Sequence, residues 1–507
     1  MVVSAIAAAG LFLAGCTATS SGTSGTSVGS TLTIGSTVTP QSWDPAFVGD
    51  ANYVPYAQAA YDSLIRRTEK NTYVPMLATK WDIADGGKTV TLELRKGVTF
   101  SDGSPFNADA VKANVEHFST SAGPLGGQLA GLADAKVLGE DKIQLDFTSP
   151  IPDIIYNLSD AAGRMASPKA LGASSLKTVP VGTGPYTMDS SKTVQGSTYT
   201  LTARKGYWDT SLQKYKTVVF KIFPNETGLL NALKSGQVDA GNLTQQDNID
   251  NAKATGIDIL HPKYHISWIG LVFYDRAGQQ VPALKNPDVR RAIAHAVDAQ
   301  GINKATYNGQ GEPDSQIFNE SSPAYDSSLT DAYKYDPSTA KQLMSKAGYA
   351  SGFTVKMPFD GAIVSAAAQA ALTKELAAIN ITVDWVNEPT PSYYGDMATG
   401  KFPMAVAIFG SVPTDWSVVQ SYIAPTASWN PNKTTDPQVE SLIAGIPGAD
   451  ESKQNESFRA LNKYIVDNAW FDPWFWAQEN FAVNKTVKVT LQPLQNVPFI
   501  YNYEPAK

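Results

Sequence analysis

Residues 89–111 read TVTLELRKGVTFSDGSPFNADAV, and the order of patterns within them sets the local architecture. Val90, Leu92 and Leu94 alternate with Thr91, Glu93 and Arg95, the two-residue period of a half-buried strand. Lys96-Gly97 interrupts the run, residues 98–100 resume it as a short strand, and Ser101-Asp102-Gly103-Ser104-Pro105 is dense turn chemistry. Asn107 is placed to cap a helix that opens at Ala108, with Asp109 against the positive end of its dipole. Strand, turn, short strand, turn and capped helix carry no chemistry of their own.

Length and composition bound the protein to which this stretch belongs. At 507 residues the chain is too long for one ordinary core, and its length predicts about three domains. Hydrophobic residues make up 43% and charged residues 17%, the balance of a large folded protein and not of a disordered one. The net charge is −7 and no Lys/Arg-rich run occurs, so the electrostatic footprint of a nucleic-acid binder is missing. The one cysteine, at position 16, leaves the folded body without a disulfide or a cysteine-ligated metal.

Residues 2–13 are a short apolar run ending in Leu13-Ala14-Gly15-Cys16, too short to span a bilayer and readable as a signal-peptide segment. Leu-Ala-Gly-Cys resembles the lipobox of bacterial lipoproteins, which implies that Cys16 is acylated. Lys and Arg are missing ahead of the run, which points to a start further upstream. Residues 17–29 are nearly all Ser, Thr and Gly, a flexible tether. Gly25-Thr26-Ser27-Val28-Gly29 within it matches G-x-S-x-G only formally, because a nucleophile elbow needs a strand before it and a helix after it.

The folded body opens with a strand at residues 32–34. A helix follows over residues 53–67, with Tyr56, Ala60, Leu64 and Ile65 on one stripe. Residues 136–138 and 142–147 read as paired strands, residues 198–204 and 218–223 as further strands, and residues 225–238 as a capped helix ended by Gly236. Residues 266–274 (ISWIGLVFY) form a fully apolar strand of the kind buried in a mixed sheet. Beyond residue 336, helices at 336–347, 365–379, 436–444 and 452–468 alternate with strands at 353–357, 382–386 and 404–409. That rhythm predicts an α/β sheet covered on both faces.

The wording of residues 94–114, LRKGVTFSDGSPFNADAVKAN, closely resembles the signature of the family 5 bacterial solute-binding proteins, the peptide/nickel/opine-type receptors of ABC importers. Trp43-Asp44-Pro45-Ala46, Tyr61-Asp62-Ser63-Leu64-Ile65, residues 73–85 (YVPMLATKWDIAD), Gly182-Thr183-Gly184-Pro185-Tyr186, and residues 225–238 and 287–297 extend the resemblance. It implies an α/β, periplasmic-binding-protein-like fold with two main lobes, a hinge and an extra inserted domain. The expected division is a signal peptide at 1–15 and a lipidated tether at 16–30. Domain I then takes 31–70, 180–268 and 481–507, domain II is the inserted 71–179, and domain III is 269–480. The family also implies a monomeric, lipid-anchored receptor outside the cytoplasmic membrane, without a cofactor or nucleic-acid partner. Its role would be to capture a peptide or peptide-sized solute and deliver it to a membrane permease, with hinge closure as the mechanism. A neutral oligosaccharide is the alternative ligand. A secreted hydrolase is the alternative class, although no phosphate loop, dinucleotide fingerprint or zincin motif is present.

Candidate cleft residues follow from aromatic chemistry and from the family. Trp43, Tyr53, Trp268, Trp416, Tyr422 and Trp429 suit a binding wall and core packing equally. In peptide-binding relatives the region matching residues 402–422 carries an Asp that pairs with the free amino end of the peptide, a charge-assisted bond of about 1.5–3 kcal/mol. A gapless match places Phe409 at the neighbouring Trp position and Val412 at that Asp, with Asp415 in the turn that follows. Either the amine anchor is lost, or Asp415 supplies it from a shifted loop. His261 and His265 are four residues apart, but Pro262 disfavours helical metal geometry; a metal pair on a strand stays open beside a plain surface reading.

Overall fold

The computed structural model describes residues 28–49, 51–410 and 412–506. The expected signal peptide, Cys16 and most of the tether lie outside the described residues. The largest sheet has seven strands, in the order Asp258–Leu260, Asn480–Val483, Ala240–Leu243, Gly29–Ser36, Tyr215–Ile222, Thr198–Ala203 and Tyr186–Met188. Gly29–Ser36 runs parallel to both of its neighbours, and the remaining pairings are antiparallel. Asn480–Val483 returns from the far end of the chain to fill the slot between Ala240–Leu243 and Asp258–Leu260. Leu32, Tyr56, Tyr199, Val218 and Phe220 are buried in the core beneath this sheet.

The opening stretch belongs to a second layer. Thr89–Leu94 sits inside an antiparallel sheet between Ala78–Ala84 and Lys142–Phe147, with Leu132–Gly139 at the edge. Val90, Leu92 and Leu94 face the core with Ile143 and Leu145, and the helix Ala108–Thr120 packs on them through Val111, Val115 and Phe118. Asn107 caps that helix as expected, its Oδ1 accepting from the Ala110 amide at 3.0 Å. Residues 98–100 do not form a strand. The Phe100 amide donates to the Ser104 carbonyl at 2.8 Å, and the tight loop this closes leaves only a Thr99–Pro105 bridge.

The helix expected over residues 53–67 is shorter. It spans Val54–Ala60, and Ile65–Arg67 is instead a strand paired with Tyr73–Pro75. The cause is a competing tertiary contact. The Ala60 carbonyl accepts from the Gly184 amide at 2.9 Å, and the buried Asp62 carboxylate accepts from Tyr207 Oη and Trp208 Nε1 at 2.8 Å each. Leu64 and Ile65 then pack into the core of the second layer.

The last region also departs from the expected rhythm. Its main sheet is antiparallel, in the order Glu312–Pro313, Phe471–Ala477, Ser267–Phe273 and Met404–Gly410. Only Phe353–Phe359 and Ile381–Asn387 pair in parallel, as a separate two-stranded sheet. Helices and strands alternate here, but the connections bring distant segments together antiparallel. Ser267–Phe273 is buried as expected, every residue from Trp268 to Phe273 lying inside.

Two segments carry the chain between the seven-stranded sheet and this last one: residues 261–266 and residues 478–479. They lie side by side. Ser267 Oγ donates to Glu479 Oε1 at 2.7 Å, and His261 Nδ1 lies 3.1 Å from the Glu479 carbonyl.

Candidate functional site

A cleft of about 840 Å³ opens where the three layers meet. The second layer contributes Tyr73, Pro152, Asp153 and Tyr156, and Leu491, Pro493 and Leu494 contribute from the C-terminal segment. The opposite wall is built from Ile317, Phe318 and Ser322, from the loop Val412, Pro413, Thr414, Asp415 and Trp416, and from Gln454 and Phe458. Lys263 and Tyr264 stand at the crossing segment, with Lys263 Nζ 4.6 Å from the Tyr264 ring centre. The volume falls in the range of ligand pockets, and aromatic faces with a few placed polar groups suit a small organic solute.

The loop is held in place by its own capping chemistry. Met404–Gly410 ends at the cleft, and Thr414 caps the short helix Asp415–Val418, its Oγ1 accepting from the Ser417 amide at 3.0 Å. This projects Asp415 and Trp416 from the first helical turn toward the opening. Asp415 Oδ1 accepts from Ser322 Oγ at 2.6 Å. Burial pushes the Asp415 carboxyl up to about 6, and the Ser322 hydroxyl only partly offsets that shift. Asp153 is raised for the same first reason, desolvation, opposed by hydrogen bonds from Thr414, Ser417 and Asn157.

Of the nine candidate ligand residues, Val412, Asp415 and Trp416 line this cleft. Trp268, Phe409, Tyr422 and Trp429 do not; they form one aromatic cluster behind the wall. Trp268 and Phe409 are a cross-strand pair with ring centres 5.3 Å apart, Phe409 meets Trp429 at 4.6 Å and Tyr422 at 5.2 Å, and Trp268 is 1% exposed. Trp43 is likewise 1% exposed, in the first core against Tyr199 at 5.7 Å. Tyr53 lies half-buried outside the cleft lining. Tyr73, Asp153, Tyr156, Tyr264 and Ser322 were not singled out from sequence. Pro152-Asp153 ahead of an apolar run is a readable helix start, but nothing local places it in a cleft.

The histidines have ordinary partners. His117 Nε2 is 2.9 Å from Asp44, His295 Nδ1 meets the Lys334 carbonyl at 2.8 Å, and His265 lies 4.0 Å from Glu320. Among the described residues no group of three or more His, Cys, Asp or Glu is arranged to hold a metal ion.

A cleft between lobes joined by two adjacent crossing segments is the arrangement of an extracytoplasmic solute-binding protein. Residues 72–430 match the profile of the bacterial extracellular solute-binding proteins, family 5 Middle, and the chain belongs to this family. It is therefore a solute-binding protein of the ABC-importer type, not an enzyme. A glutathione-binding protein, GsiB of Pectobacterium atrosepticum, is 26% identical over 492 residues, 90% of each chain. GsiB of Escherichia coli K12 is 26% identical over 329 residues, which span 62% of this chain and 60% of that one. DppA of Helicobacter pylori, solved with the peptide STSA, superposes with a TM-score of 0.78 at 20% identity, covering 95% of this chain and 99% of its own. NikA of Brucella suis, solved with Fe(III)-EDTA, gives 0.80 at 21% identity over 94% and 99%. These likenesses establish the fold as that of a large multi-domain solute-binding protein.

Proposed function

We propose that the chain captures a short peptide or peptide-sized solute carrying a free amine, and that Asp415 is the counter-charge. The observation that carries this reading is the placement of Asp415 on the cleft wall with the Ser322 hydroxyl as its hydrogen-bond partner; among the described residues no cation pairs with it. A carboxylate partly withdrawn from water is stabilised most by a cation brought to it. Val412, three residues earlier on the same loop, supplies apolar contact instead. Relatives described as binding glutathione or peptides support the ligand class. Aromatic faces would also accept a neutral oligosaccharide, and the test separates the two.

Calorimetric titration of one tripeptide with a free and with an acetylated amino end is the experiment. Free-amine binding should exceed acetylated binding, and Asp415→Asn should abolish the difference at a cost of about 2–5 kcal/mol. Equal affinity for both forms, or binding of neutral oligosaccharides only, would refute the reading. A supporting melt should rise on ligand addition, since occupancy at 100 times Kd stabilises by about 2.7 kcal/mol.

The lipobox at Leu13–Cys16 supports a lipid-anchored mature chain. Cys16→Ser should release the protein from the membrane fraction with its fold unchanged; a variant that stays membrane-bound refutes the anchor.

A further inference from the structure

Asp153 breaks a local rule. It occupies the N-cap of the helix Ile154–Ser159, yet its carboxylate caps no backbone amide of that helix. An Asp in this position ordinarily accepts from the second or third helical N–H, worth roughly 1 kcal/mol. Here Oδ1 accepts from Asn157 Nδ2 at 3.0 Å, and the same nitrogen donates to the Gln128 carbonyl at 3.0 Å. That contact steadies the carboxylate from its own side. Oδ2 reaches across the cleft and accepts from Thr414 Oγ1 and Ser417 Oγ, both at 3.0 Å. Both hydrogen bonds run from the second layer to the last one. Departures from local preference gather where function demands them.

We infer that Asp153 is a positioning residue that latches the second layer to the last one and so sets how long the cleft stays closed around its occupant. The inference rests on the cleft being the capture site but not on the charge of the ligand. The donating hydroxyls sit on the cap and first turn of the helix that presents Asp415 and Trp416, so closing the latch and seating the ligand-facing loop are one event. A carboxylate accepting two hydroxyl protons is a charge-assisted contact, stronger than a neutral pair. Asp153 and Thr414 both border the cleft, so opening would return the carboxylate and that hydroxyl to water; the latch is thus a bias on an equilibrium, not a weld.

Spin labels at Lys136→Cys and Lys453→Cys, exposed positions on the two sides, report the separation by pulsed electron resonance in a Cys16→Ser chain. Asp153→Ala should shift the ratio of short to long separations roughly tenfold toward the long one, with trialanine absent. Thr414→Val with Ser417→Ala should do the same, and the triple variant should add nothing. Asp153→Asn, which keeps one acceptor, should restore part of the short population. With trialanine bound, the dissociation rate should rise while the association rate holds. Unchanged separations in Asp153→Ala, or full additivity in the triple variant, overturn the latch. If trialanine fails to bind, the ligand assignment falls while the separations still decide the latch.

Discussion

Asp415 and Trp268 show how differently two side chains from one region can be spent. Asp415 is half-buried at the cleft, with its carboxyl lifted to about 6. The peptide ammonium has its own pKa of about 8, so both partners are charged only between the two values. The preference for free-amine over acetylated peptide should therefore be greatest at about pH 7, fade by about pH 5 as the carboxylate is protonated and fall again above about pH 8 as the amine loses its proton; Asp415→Asn should remove the acid-side fade. Binding measured across that range for both peptides checks the sign. Trp268 is closed into the core by Phe409, Tyr422 and Phe471. Trp268→Ala should cost about 3–5 kcal/mol in a denaturant titration. Trp416→Ala, at the cleft, should weaken ligand binding with far less loss of stability. Aromatic type alone did not separate these two roles in the sequence. Cross-strand pairing buries Trp268 with Phe409 on one face of the sheet, and no local pattern reports which face looks into a cleft.

The element that resembles the family signature acts as a joint. Ser101 donates its amide to the Gly182 carbonyl at 2.8 Å, Arg204 donates to the Thr99 carbonyl at 2.7 Å, and Ser167 Oγ donates to Asp102 at 2.6 Å. The turn Gly182–Thr183–Gly184 is thereby clamped against Ala60 and Tyr61. A Cβ on Gly184 would stand 2.4 Å from the Ala60 carbonyl carbon and 2.5 Å from the Tyr61 nitrogen, contacts only backbone movement can relieve. Gly184→Ala should destabilise by about 1–3 kcal/mol, read from the denaturation midpoint. The strand of residues 89–94 and the cap at Asn107 were legible because alternation and capping are local signals. The end of the helix at Ala60 was not, because Gly184, Tyr207 and Trp208 end it from more than 120 residues away. The antiparallel pairing of the last sheet was hidden for a similar reason: alternation of helix and strand gives no direction to connections this long.

At the scale of the whole molecule, three layers share one cleft, and the segments that cross between the first and last are bonded to each other at Ser267, His261 and Glu479. Burial raises the Glu479 carboxyl, with the Ser267 hydroxyl opposing the shift, so this junction is held by polar contacts in a shielded place. A junction of two short crossings lying side by side permits one lobe to rotate on the other while each core stays intact. The family and the fold were readable from motif wording spread along the chain. The composition of the cleft was not, because its walls come from segments hundreds of residues apart. The central claim is that this cleft holds one amine-bearing, peptide-sized solute per chain. Native mass spectrometry of the ligand-stripped protein, offered an equimolar mixture of short free-amine peptides, their acetylated forms and neutral oligosaccharides, tests it most directly. The account predicts a single adduct per chain, drawn from the free-amine peptides and lost in Asp415→Asn; adducts drawn only from acetylated peptides or oligosaccharides would contradict it.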